Sequence, residues 1–264
     1  MATRVVPALA RGLDVLVLLG QQPDLAAAPI AAALGLPRTT VHELLKTLEA
    51  RGFIRNAGNS TYRLGIRLFE LGTAVEHGLD LVDVGKRGAE AVAAKCGETV
   101  HIGVLDHTDV VYVAKISSIH AVQLVSHLGG RLPAHLTAVG KVNLAYQAEA
   151  VLEQLYPLGG QLTTMTPNSL PTTDALHAAL RQIRAEGVAW DSCESNPDVY
   201  CVAAPIRDAA GEVVAGMSIS VPVNRWNERR AEELRALAVA GAHDVSVNLG
   251  LSASIQPDRS AAAR

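Results

Sequence analysis

Pro37-Arg38-Thr39-Thr40-Val41-His42-Glu43-Leu44-Leu45-Lys46-Thr47-Leu48-Glu49-Ala50-Arg51-Gly52 decides how the first quarter of the chain is read. Val41, Leu44, Leu45 and Leu48 fall at i, i+3, i+4 and i+7, the stripe of a helix that buries one side. The other side carries Arg38, Thr39, Thr40, His42, Glu43 and Lys46, short or hydrogen-bonding side chains gathered near the helix start. A helix that touches base edges and phosphates needs that composition. Pro37 suits a first turn, and Gly52 suits the position just past the last one. The stretch is predicted to be a recognition helix.

Working backwards, Val6 to Gln21 places Leu9, Leu13 and Leu16 at i, i+4 and i+7 and predicts a first helix that ends at Pro23-Asp24. Ala26 to Leu34 predicts a short second helix, and Gly35-Leu36-Pro37 joins it tightly to the recognition segment. Two helices joined this way form a helix-turn-helix. Working forwards, Phe53 to Arg55, the turn-rich Asn56 to Ser60 and Thr61 to Leu64 predict a hairpin, which makes the motif winged. Arg55 and Arg63 flank its tip, placed to reach phosphate or the minor groove. Leu64, Leu68, Leu71 and Val75 then repeat at helical spacing and predict a helix that bridges to the rest of the chain.

Beyond Gly78 the texture changes. A helix over Val82 to Cys96 precedes strands expected at Thr99 to Leu105, Val110 to Ile116 and Val122 to Ser126. Helices are expected over Ala138 to Gln147, Ala150 to Leu155 and Asp174 to Glu186, with Pro157 to Pro171 irregular. Strands return at Val188 to Asp191, Cys201 to Arg207 and Val213 to Val221, before a last helix from Glu228 to about Gly250. The fold class read from this pattern is α+β behind a helical DNA-binding module. The expected division is 1–64 for the winged helix-turn-helix, 65–80 for the linker helix, 81–251 for the second domain and 252–264 for a disordered tail.

Composition sets the bounds. With 264 residues and 49% hydrophobic content, two domains are expected and global disorder is excluded. The net charge of −3 hides an asymmetry. Met1 to Gly72 has 8 Lys and Arg against 5 Asp and Glu, and the remainder has 15 against 21. The basic share therefore lies with the reading helix. No apolar run is long enough to span a bilayer and Met1 to Arg11 leads into Asp14 instead of a cleavable apolar core, so no membrane partner and a cytoplasmic location are expected. Cys96, Cys193 and Cys201, three cysteines without close spacing, argue against a disulfide framework and a zinc knuckle.

With these residues in view, the chain resembles the IclR family of bacterial transcriptional regulators from about Leu9 to Gly250. The motifs that carry the likeness occur in order: Ala10-Arg11-Gly12-Leu13-Asp14-Val15-Leu16, Leu34-Gly35-Leu36-Pro37 with Thr40-Val41-His42, Tyr62-Arg63-Leu64-Gly65, Gly97-Glu98-Thr99-Val100, Thr137-Ala138-Val139-Gly140-Lys141, and Cys201-Val202-Ala203-Ala204-Pro205-Ile206. The resemblance implies a winged helix-turn-helix, a linker helix, a GAF-like effector-binding domain, and homodimers or homotetramers on double-stranded operator DNA. It also implies a small organic-acid effector, with an aromatic carboxylate such as a hydroxybenzoate as the leading class, held by residues matching Leu132, Ala138, Val139, Asp191, Cys201, Ser218 and Ser220. Glu43 stands where the family usually has Arg, and Pro197-Asp198 where it usually has Gly. Glu43 repels phosphate and can accept from a cytosine amino group.

Read without the resemblance, these site residues are ambiguous. Val213 to Val221 alternates Ala215, Met217, Ile219 and Val221 with Val214, Gly216, Ser218 and Ser220, and two strand hydroxyls ordinarily face water. Asp191 reads on spacing alone as an exposed loop carboxylate; beside an anionic ligand it must accept from a hydroxyl or amide, or be protonated. The start of the Ala138 helix offers free N–H groups to a carboxylate.

An enzyme acting on a small molecule is the rival reading. Gly140-Lys141 fails as a P-loop because His135 and Val142 stand where Gly and Ser or Thr are required. Gly216 to Ser220 lacks the second glycine of a nucleophile elbow. His101, His107, His120, His127 and His135 show no helical metal-ligand spacing. No catalytic residue, cofactor or metal is therefore expected. A ligand-free architectural DNA binder would not need the long α+β domain.

Overall fold

The computed structural model describes residues 6–76, 80–120 and 126–251. The chain divides into two units, 1–79 and 80–264.

In the first unit, α1 (Pro7–Gln21), β1 (Leu25–Ala26), α2 (Ala27–Leu34), α3 (Arg38–Ala50), β2 (Ile54–Gly58), β3 (Thr61–Leu64) and α4 (Ile66–Glu76) follow in order. Val15, Leu19, Ile30, Val41, Leu45 and Ile54 close one small core. β1 adds to the hairpin in the order β1-β3-β2. Asn59 and Ser60 both take left-handed φ, 50° and 58°, as a two-residue hairpin turn demands. A Cβ on Gly65 would lie 2.2 Å from the carbonyl oxygen of Gly52, so only glycine lets the strand end run this close to the α3 exit.

The expected first helix is α1, and its buried side is Gly12, Val15 and Leu19, with Leu16 packed beside them, while Leu9 and Leu13 are exposed. One expectation needs correcting here. Leu64 ends β3, paired with Ile54, and the helix after it begins at Ile66, because hairpin pairing claims the residue before Gly65.

In the second unit, α5 (Asp80–Cys96) leads to β4 (Thr99–Asp106), β5 (Asp109–Ile116) and β6 (Arg131–Pro133). Helices α6 (Ala138–Ala145), α7 (Glu149–Leu155) and α8 (Thr173–Glu186) precede β7 (Ala189–Ser192), β8 (Val199–Arg207), β9 (Val213–Pro222) and α9 (Glu228–Asn248). Two antiparallel meanders, β4-β5-β6 and β7-β8-β9, join through β4 and β9 into one sheet ordered β6-β5-β4-β9-β8-β7. One face packs on α5 and α9 through Ala89, Val92, Ile102, Met217, Ile219 and Val245. The other packs on α6 and α8 through Ala203 of the sheet and Val139, Val142, Leu176 and Leu180 of the helices. Of the strand expected at Val122 to Ser126, residues 121–125 lie outside the described residues, and Ser126 is not in a strand. The strand beside β5 is instead β6, three residues ending in Pro133, too short to show a period. The tail 252–264 also lies outside the described residues.

Candidate nucleic-acid interface and effector site

Helix α3 is built as a reading element should be. Val41 and Leu45 are buried, and Arg38, Thr39, His42, Glu43 and Lys46 are exposed, with Thr40 half-buried between them. Pro37 is the N-cap and has no side chain that bonds back, so the first N–H groups of α3 have no intrahelical acceptor and the positive end of the helix dipole is open. Arg55 and Arg63 are opposite one another in the β2–β3 register. Arg55 is exposed. Arg63 is engaged: its Nε and Nη2 donate to Asp24 Oδ1 at 2.8 and 2.6 Å, which ties the wing to the turn after α1. Local spacing could not reveal this pair, because Asp24 and Arg63 are 39 residues apart.

In the second unit, strand register assembles the polar residues. Thr99, Ser220, Cys201 and Asp191 are successive partners across β4, β9, β8 and β7, and His101 and Ser218 are partners two residues further along. Partners and alternate residues share a face, so these six side chains lie on one surface. Further along it, Gly103 is opposite Gly216. A Cβ on Gly216 would fall 2.7 Å from Val142, and one on Gly103 2.9 Å from Val139. The two glycines thus let α6 settle onto the sheet at one end and leave the polar residues at the other.

Ser218, Ser220 and Asp191 are all buried. The reading of the serines as water-facing and of Asp191 as an exposed loop carboxylate is thereby overturned: α6 covers a face that periodicity alone could not show to be covered. Asp191 accepts from the Glu194 N–H at 2.7 Å and from the Ser195 hydroxyl at 2.6 Å. Burial nonetheless raises its pKa, against the lowering effect of those two bonds. The Cys201 thiol donates to Ser220 Oγ at 3.2 Å, and burial pushes it well above the ordinary thiol range. It is a neutral hydrogen-bonding group, not a nucleophile.

At the start of α6, Thr137 Oγ1 accepts from the Gly140 N–H at 3.0 Å. The N–H groups of Ala138 and Val139 are left as the ones that intrahelical bonding cannot use. Leu132 stands apart from the polar row, on β6 at the opposite edge from β7, where it pairs with Val110.

Sequence reasoning missed several neighbours. Lys141 and Glu194 form a buried ion pair at 2.5 Å. His101 is buried, lies against Tyr112 with centroids 4.6 Å apart and the rings tilted by 34°, and contacts Ser126 Oγ through Nε2 at 2.8 Å. Burial, then the nearby Lys115 charge, lower its pKa to about 3. The parity of Thr99, His101 and Gly103 along β4 was the signal that would have placed His101 beside Ser218. A surface hollow of about 530 Å³ lies elsewhere, lined in part by His135, Tyr156, Thr163 and Thr173. His135 there is already bonded to the Thr163 carbonyl and Thr173 to Pro157 and Gly160. Among the described residues no cluster of His, Cys, Asp and Glu is placed to hold a metal.

A family model described as the IclR helix-turn-helix domain matches residues 8–58, and one described as bacterial transcriptional regulator IclR C-terminal matches residues 73–247. The chain belongs to the IclR family. The Escherichia coli regulator XynR is 37% identical over 233 residues, covering 88% of this chain and 92% of its own. The E. coli regulator KdgR is 30% identical over 246 residues, 93% of each chain. An IclR homolog from Microbacterium hydrocarbonoxydans, solved with 4-hydroxybenzoate, superposes with a TM-score of 0.80 at 26% identity, covering 92% of this chain and 98% of its own. As an IclR-family member the protein is a DNA-binding transcriptional regulator, not an enzyme, and its C-terminal domain binds a small-molecule ligand. Among the described residues no helix is long and apolar enough to cross a membrane.

Proposed function

We propose that this IclR-family regulator acts in the cytoplasm as a dimer, or as a pair of dimers, and changes its operator affinity when a small organic acid binds between α6 and the sheet. Residues 1–64 read DNA, 65–80 connect, and 81–251 take the effector. In the reading unit Arg38, Thr39, Thr40, His42 and Glu43 address bases; Lys46, Arg55 and Arg63 address phosphate. The effector contacts Ala138, Val139, Asp191, Cys201, Ser218 and Ser220, with Leu132 at the outer edge.

The observation that carries the effector assignment is the buried polar row Thr99-Ser220-Cys201-Asp191, on the sheet face that α6 packs against and beside the end where α6 settles. A protein interior does not gather hydroxyls, a thiol and a carboxylate without a use for them. The N–H groups at the start of α6 suit a carboxylate, and the neutral hydroxyls and thiol suit the remainder of a small acid. The 4-hydroxybenzoate held by the Microbacterium homolog supports an aromatic hydroxy acid as the first class to try.

Dimerisation is supported by apolar surface that the first unit leaves uncovered. Leu9, Leu13 and Val17 on α1, and Ile66 and Phe69 on α4 at 70% and 67% exposure, have no use in its own core. A two-fold pair doubles the base contacts on a pseudo-palindromic site.

The test is an operator selected from a random duplex pool, followed by fluorescence anisotropy with and without 4-hydroxybenzoate. An operator affinity that no concentration of the acid alters rejects this effector assignment.

A further inference from the structure

Among the described residues, two buried side-chain atoms have no hydrogen-bond partner: His101 Nδ1 and Glu194 Oε2. Such an atom is destabilising where nothing compensates it, and both belong to side chains around the face that α6 covers. Glu194 has an evident structural occupation, since its other oxygen receives Lys141. His101 does not. It is 3% exposed, sits opposite Ser218 in the β4–β9 register, and is locked by the Tyr112 ring on one side and Ser126 Oγ on its far nitrogen.

We propose that His101 is a ligand-binding residue of the effector site and that its Nδ1 pairs with a hydroxyl group of the acid, not with its carboxylate. The proposal rests on the effector site assigned above. Lys115 donates to the Ser126 carbonyl beside His101, so the corner already holds one cation, and burial next to it keeps the imidazole neutral. A neutral imidazole has one donor and one acceptor nitrogen. Depending on whether the Ser126 hydroxyl donates to Nε2 or accepts from it, Nδ1 is the donor or the acceptor. A hydroxyl satisfies either tautomer, whereas a carboxylate satisfies only one. The ligand class that follows is a hydroxy acid, bound by its carboxylate elsewhere and recognised by its hydroxyl at His101.

The experiment is a double-mutant cycle between ligand and protein, by calorimetry on the full chain. Two ligands, 4-hydroxybenzoate and benzoate, are titrated into wild type, His101→Phe, His101→Gln and Ser218→Ala, each first checked for an unchanged melting transition. Phe keeps the ring against Tyr112 and removes both nitrogens; Gln keeps a hydrogen-bonding end. Wild type is expected to prefer 4-hydroxybenzoate by about tenfold, His101→Phe to bind both acids alike, and His101→Gln to recover part of the preference. If His101→Phe keeps the full preference while Ser218→Ala weakens binding, His101 is not the hydroxyl reader and the site assignment stands. If neither Ser218→Ala nor His101→Phe changes either affinity, the site lies elsewhere and both assignments fall. Binding of neither acid by wild type rejects the aromatic-acid reading, and the His101 assignment, which is defined by that hydroxyl, goes with it.

Discussion

Ser218 and Ser220 are the residues on which the ligand assignment turns, and their burial makes a quantitative expectation possible. Replacing both by alanine removes two hydroxyls from a closed face and should weaken effector binding by about 1–3 kcal/mol in total, with operator binding in the absence of ligand nearly unchanged. Calorimetry for the acid and anisotropy for the operator measure the two halves; an unchanged acid affinity removes the serines from the site. His101 gives a second expectation, in pH. Its folded pKa of about 3 lies below the ordinary value of 6.5, so below pH 6.5 the unfolded chain binds a proton that the folded chain refuses. Stability is therefore lost as pH falls from about 6.5 toward 3, on the order of 1 kcal/mol by pH 5.5 from this residue. Denaturant titrations at pH 7.5 and 5.5 should show a smaller acid loss in His101→Phe than in wild type; an equal loss removes His101 as the cause. At this scale the sequence was only partly legible. The alternation in Val213 to Val221 separated the serine face from the core face, but which face a helix covers is a tertiary fact. Asp191 was misread for that reason, and Lys141 and Glu194, 53 residues apart, met only in the folded chain.

Elements were more legible than residues, because helix and strand periods are local. The recognition helix, the hairpin and the strand carrying Ser218 and Ser220 all follow from spacing, and the IclR membership agrees with the ordered motifs. What spacing could not do was choose between two apolar faces on one helix. On α1, Leu9 and Leu13 satisfied the periodic test as well as Val15 and Leu19 do, yet only the second pair is buried. The wing adds a finding of the same kind. Arg55 and Arg63 look equivalent in the sequence, but Arg63 spends its guanidinium on Asp24 while Arg55 is exposed and without that tie. Arg55→Ala should therefore weaken binding to all duplexes alike and reduce the salt slope by about one unit. Arg63→Ala should do so less, since the Asp24 pair must open before phosphate is reached. Thr40→Ala, on the reading face of α3, should instead change which base is preferred. Affinity measured on matched and mismatched duplexes across a salt series separates these outcomes, and equal salt slopes for the two arginine variants would show the Asp24 pair to be irrelevant.

For the whole molecule, dimerisation and ligand response belong to one argument. A ligand shifts operator affinity only by the difference in its own affinity for the two arrangements of the assembly, and such couplings amount to about 1–3 kcal/mol, roughly 5–150-fold in affinity. A lone winged helix offers too few base contacts to be specific, so the response needs the dimer as its readout. In the proposed dimer the exposed apolar residues of α1 and α4 are the surface that two reading units would bury. Leu13→Glu with Phe69→Glu places charge on that surface without touching the buried Val15, Leu19 and Ile54 core, so the unit itself should stay folded. Sedimentation of wild type at micromolar concentration should show a dimer or larger species, and the double variant should dissociate or lose a step of assembly. Its affinity for a single half-site should be nearly that of wild type, while its affinity for the full palindrome should fall toward the half-site value, and the acid should no longer change operator affinity although calorimetry still detects its binding. A double variant that remains assembled and ligand-responsive would place the dimer surface, and the route of the switch, outside α1 and α4.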